Sequence, residues 1–227
     1  MKKLVRLLSL LCVAVVSAFA QGKLGEVHVD VDKVTVPVRV SANVPELNSL
    51  ALQAFGAHGR YRLVTSGFAY DIRFTAAGAG QVRVDVVQGA SNAPVVSQSV
   101  NGATARIALL RAADVAVTQT NGLGLRGFFT ARLAFVGERT GKKEIYVSDL
   151  FLGEAKQVQP SNHPVMKPRW TPDGARLLYT SFFKSGAADI FQYDLGSFQR
   201  TLFVSFQGSN YGARSSPNGQ QVAMVLS

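Results

Sequence analysis

The chain has 227 residues, with 24 Lys and Arg against 14 Asp and Glu for a formal charge of +10, and one cysteine. That length allows one or two domains, and a lone cysteine excludes a disulfide-stapled scaffold. The basic residues are scattered, Lys142-Lys143 being the longest cluster, and no stripe of aromatics accompanies them, which argues against nucleic acid as a partner. What remains is a solvated basic surface, suited at most to peripheral contact with anionic lipid or cell wall.

Residues 1–20 read MKKLVRLLSLLCVAVVSAFA. Lys2, Lys3 and Arg6 form a positive n-region, Leu7 to Val16 an apolar h-region, and Ala18-Phe19-Ala20 a small-residue cleavage site, so a secretory signal peptide ends between Ala20 and Gln21. A retained anchor would need an apolar run of about 20 residues. Cys12 follows Leu10 and Leu11, where a lipobox needs a small residue directly ahead, so it fills the h-region. Removal of the leader takes the only cysteine with it.

Residues 21–127 then read as a small α+β domain. GEVHVDVD (25–32) alternates apolar and polar as a half-buried strand does. VTVPVRV (34–40) is a second β-rich run, in which Pro37 suggests an edge or a bulge. Leu47, Leu50, Ala51, Ala54 and Phe55 recur at helical spacing, and Gly56 or Gly59 ends that helix. Four β-like runs follow at Tyr61–Val64, Tyr70–Thr75, Gln81–Val87 and Pro94–Val100. Residues 103–120 form a second helix with Ile107, Leu110, Ala113 and Val117 on one face.

From Phe128 the texture is all β, and it repeats. RLAFV (132–136) returns as RLLYT (176–180), EIYVSDL (144–150) as DIFQYDL (189–195), and WTPDGARLLYT (170–180) as SSPNGQQVAMV (215–225). A period of about 40–45 residues with four strands' worth of β texture predicts propeller blades. In the P-[DN]-G turn, proline fixes one φ and glycine takes the positive φ that follows, while the apolar residues after it fill the layer between blades. Asp149 and Asp194, one period apart, are read as turn caps. Residues 128–227 hold two blades and the start of a third. The fold class is thus an α+β N-terminal domain followed by all-β propeller blades.

Motifs for chemistry are weak. Gly122-Leu-Gly124-Leu-Arg-Gly127 fits G-x-G-x-x-G, but a helix precedes it and a β run follows, the reverse of the order a dinucleotide site needs. Asp30 and Asp32 share a strand face without further converging ligands, and His28, His58 and His163 lack ligand spacing, so no metal is expected. Trp170 reads as blade packing. No nucleophile elbow or zinc-protease motif is present. No enzyme and no cofactor is expected.

Several stretches together resemble the TolB family, periplasmic proteins of the Tol–Pal envelope system of diderm bacteria. They are the order leader, α+β domain, propeller; the junction GLRGFFTARLAFV (124–136); and PRWTPDGARLLYTS (168–181), similar to the family's P-x-W-S-P-D-G blade motif. Where the family has D-x-D-G, this chain has Asp149-Leu-Phe-Leu-Gly153 and lacks the second Asp. The family's propeller is six-bladed, so the resemblance implies a C-terminally truncated member.

The resemblance implies a non-enzymatic periplasmic adaptor linking TolA-like and Pal-like proteins, for envelope integrity and macromolecule transport. Residues Lys23, Leu24, Glu26, Val27, His28, Val29 and Asp30 lie near the mature chain end and alternate cleanly, which suits strand addition to a partner's sheet. Two readings of them stand: a docking strand, or a strand inside their own domain. Two other functions stand beside the adaptor: the propeller of a secreted peptidase, or a secreted ligand-binding or sensor propeller.

Overall fold

The computed structural model describes residues 35–227 except 90, 92, 121–125, 159–161 and 185, and Thr35–Ser227 form one compact unit. The N-terminal part is a five-stranded sheet carrying two helices. Its elements are β1 (Val36–Ala42), α1 (Pro45–Ala57), β2 (Tyr61–Leu63), β3 (Tyr70–Gly78), β4 (Gln81–Gln88), β5 (Pro94–Asn101) and α2 (Ala105–Thr120). The strand order is β2-β1-β3-β4-β5. β1 runs parallel to both β2 and β3, while β3–β4 and β4–β5 are antiparallel.

Alternation decides which face is covered. Val38 and Val40 of β1, Ile72 and Phe74 of β3, and Val82, Val84 and Val86 of β4 are buried in the core shared with the helices. α1 contributes the five residues its periodicity marks, Leu47, Leu50, Ala51, Ala54 and Phe55. It ends at Ala57, and Gly59 supplies the positive φ of +72° just beyond.

Two expectations need correction. Pro37 is not on an edge strand, since β1 lies between β2 and β3. It is tolerated because pairing with β3 begins only at Val38↔Tyr70, so its missing N–H would face chain that precedes the ladder. The buried face of α2 is also wider than its periodicity marks, and it leaves out Ile107. Leu110, Ala113 and Val117 of the expected face are buried, but so are Ala108, Leu109, Ala112 and Ala116, whereas Ile107 is only half-buried. A run of small residues lets α2 sit close on the sheet, so the alanines rather than Ile107 define its core face.

The second part holds three sheets in chain order. β6 (Arg132–Gly137), β7 (Glu144–Asp149) and β8 (Lys156–Gln157) form a three-stranded antiparallel sheet. β9 (Val165–Trp170), β10 (Arg176–Ser181), β11 (Asp189–Asp194) and β12 (Arg200–Val204) form a four-stranded one, and β13 (Asn210–Ser215) and β14 (Val222–Leu226) a two-stranded one. These are propeller blades, and the described residues do not close a ring. Leu177, Tyr179, Phe191 and Tyr193 of the second blade pack with Ile145 of the first, while Leu178 and Ile190 pack with Ala213 of the third. Burial on both faces is why Leu177-Leu178-Tyr179 and Ile190-Phe191 are consecutive apolar residues rather than an alternation.

The repeated turn is built the same way twice. Gly174 N–H donates to Thr171 O and Gly219 N–H to Ser216 O, each at 2.9 Å, with φ of +66° and +71°. Asp173 and Asn218 accept from the backbone two residues on, at 3.0 and 3.1 Å. Both sequences therefore specify one turn.

Candidate functional site

A group of specific polar contacts lies where α2 meets the first blade. Thr104 caps α2: its hydroxyl accepts from Ile107 N–H at 3.3 Å and donates to Glu154 Oε1 at 3.1 Å, so one oxygen ties helix start to blade. Two residues on, Arg106 donates from Nε and Nη2 to the two carboxylate oxygens of Asp149 at 2.8 and 3.0 Å. The fork geometry fixes orientation as well as distance. Burial alone would push the Asp149 carboxyl up, but Arg106 and the N–H groups of Phe151 and Gly153 outweigh it and hold it below the usual carboxylate range.

Gly153 is required by this contact. A methyl group there would overlap the Arg106 guanidinium. One period later the position is Phe198, 70 % exposed, in a turn that Asp194 caps at Gly196 and Ser197 N–H, at 2.9 and 2.8 Å. Asp149 and Asp194 do cap turns, and the absent second Asp leaves a turn with Leu152 at φ +57°.

The junction makes the third contact. Taken back one period, the P-D-G turn falls on Phe128-Phe129-Thr130. Asp114 of α2 accepts from Phe129 N–H and Thr130 N–H, each at 3.1 Å, and from the Thr130 hydroxyl at 2.6 Å. Phe129 is thereby fixed in the N-terminal core, fully buried, with its ring 4.8 Å from Phe55 and 5.2 Å from His58. His58 is itself buried among Tyr61, Phe128 and Phe129, and burial pushes its imidazole pKa down. Tyr61, whose hydroxyl is 2.6 Å from Thr120 Oγ1, is pushed up to about 12 by burial.

These contacts flank an open cleft of about 460 Å³, with Ile107, Leu110, Phe129 and Val147 as apolar walls and Arg111, Arg132 and Lys156 at its rim. Among the described residues no group of three or more His, Cys, Asp or Glu could hold a metal ion. The expected docking residues Lys23, Leu24, Glu26, Val27, His28, Val29 and Asp30, and the cleavage pair Ala20 and Gln21, lie outside the described residues.

Comparison with known proteins bears on both parts of the chain. A family model described as the TolB beta propeller domain matches residues 121–227. The Tol-Pal system protein TolB of Azoarcus sp. (strain BH72) is 30% identical over 183 residues, 80% of this chain, which reaches well beyond the propeller match. This chain is a member of the TolB family. The Hahella chejuensis TolB is 30% identical over 165 residues. The crystal structure of TolB from Acinetobacter baumannii superposes with a TM-score of 0.71 at 20% identity, over 85% of this chain and 55% of that one, and so shares its fold. The alignments span 40% of the Azoarcus TolB and 36% of the Hahella TolB.

Proposed function

We propose that the chain is a non-enzymatic periplasmic adaptor of the Tol–Pal system, gripping a TolA-like protein through its N-terminal residues and a Pal-like protein through its blades. Family membership and the relatives' names support the system. The observation that carries the adaptor reading is mechanical. The two parts of the chain are pinned by the Arg106–Asp149 fork, the Thr104–Glu154 bond and the Asp114 cap. An adaptor needs such a joint, because force or occupancy at one part must reach the other. No described helix is long and apolar enough to cross a membrane, and the leader supports export.

On this reading Lys23–Asp30 is the strand that adds to the TolA-like sheet. A proline at Val29 removes one backbone donor from that strand. Val29→Pro is expected to weaken binding with the helical circular dichroism intact. An unfolded Val29→Pro chain would make the segment an internal strand and sink the docking site.

A further inference from the structure

Among the described residues, β1 is paired on its β2 side only over Val36–Val38. The β1–β2 ladder runs from Val36↔Tyr61 to Val38↔Leu63 and stops. Val64 N–H then donates to Val38 O at 2.9 Å, and Thr65 and Ser66 turn the chain away. Val36 N–H donates to Arg60 O, so Val36, Val38 and Val40 turn their backbone groups to this side, while Pro37 O turns to Ala69 on the other. At the far end Ala42 N–H is closed by Asn48 Oδ1 at 2.9 Å. Between Val38 and Ala42 the N–H and C=O of Val40 face a slot of about 680 Å³, lined by Arg39, Val40, Leu52, Leu63, Val64, Thr65 and Ser66.

The slot has two chemically distinct sides. A strand laid beside Val40 would place its inward side chain against Leu52 and Leu63, which are 38% and 37% exposed. Its outward side chains would lie beside Arg39, and Arg62 joins that face through its pairing with Pro37. Arg39 and Arg73 share a single carboxylate, Asp71, at 2.6 and 2.5 Å, which leaves one positive charge in excess. Arg62 has no acidic partner among the described residues, and no acidic residue lines the slot.

We infer that this half-edge of β1 accepts a short extended strand of a partner protein with alternating acidic and apolar residues. Backbone pairing with Val40 sets its register, an apolar side chain fills the Leu52–Leu63 shelf, and carboxylates meet Arg39 and Arg62. The acceptor site is separate from the Lys23–Asp30 segment and does not depend on the proposed adaptor role.

The test uses the chain from Gln21, isotope-labelled, titrated with acetyl-Glu-Ile-Glu-Ile-Glu-amide and with the peptide in which lysine replaces each glutamate. The acidic peptide is expected to bind saturably and to slow hydrogen exchange of the Val40 amide. Leu52→Glu and Arg62→Glu, both at exposed positions, are each expected to weaken it about tenfold or more with the melting temperature unchanged. Equal binding of the lysine peptide, an unchanged Val40 amide, or unchanged affinity in both variants would overturn the assignment.

Discussion

Arg106 of α2 and Asp149 of the first blade meet fork to fork, at 2.8 and 3.0 Å, with side chains 25% and 13% exposed. Each partner is fixed independently, Arg106 by the capped helix and Asp149 by the turn N–H groups of Phe151 and Gly153. Replacing either by alanine should destabilise the fold by about 1–3 kcal/mol, since the other charge is left partly buried. The double variant should cost little more than one single, and a thermodynamic cycle from urea unfolding would measure that coupling.

The same pair gives an acid limb to stability. The Asp149 carboxyl is held below its usual value in the fold. The unfolded chain therefore takes up that proton first as pH falls. The contribution is whole above about pH 4 and fades below it. Asp149→Asn should flatten this part of the stability–pH curve.

Gly153→Ala should be nearly as harmful as Arg106→Ala, because the methyl group displaces the guanidinium from Asp149. In the Arg106→Ala background the same substitution should be close to neutral. Additive losses would show that Gly153 matters for another reason.

His58 controls a second limb. Burial lowers its pKa, opposed by the Asp114 charge and reinforced by Arg60. The unfolded chain protonates near pH 6.5 while the fold resists, so stability should fall as pH drops below about 6.5. His58→Phe, which keeps a ring among Tyr61, Phe128 and Phe129, should remove that dependence.

Much of this was legible in the sequence, and the limits have physical reasons. The helix face Leu47 to Phe55 and the P-[DN]-G turns are local, so periodicity and turn chemistry find them. The seam is not local: Arg106 and Asp149 are 43 residues apart, and no single-strand or single-helix pattern joins them. The repeat itself held a clue. Gly153 stands where Phe198 stands one period later, and Phe128-Phe129 stands where Pro172-Asp173 does. A repeat breaks where something outside it packs. Pro37 misled because a missing donor marks the start of a ladder as well as a sheet edge.

Phe129 belongs to the N-terminal core although it lies beyond the expected domain boundary at residue 127. A fragment ending at Gly127 loses this fully buried ring and the Asp114 bonds. It should be less stable than one ending at Ala131 by about 3–5 kcal/mol, the usual scale for a lost core phenylalanine. Chemical denaturation of both fragments measures the difference.

Calorimetric titration of the chain from Gln21 with the periplasmic domain of a TolA-like protein tests the adaptor reading most directly. Saturable one-to-one binding is expected, lost when residues 21–31 are removed, with the melting temperature of the remainder unchanged. A folded chain that shows no binding, or one that binds equally well without residues 21–31, would contradict it.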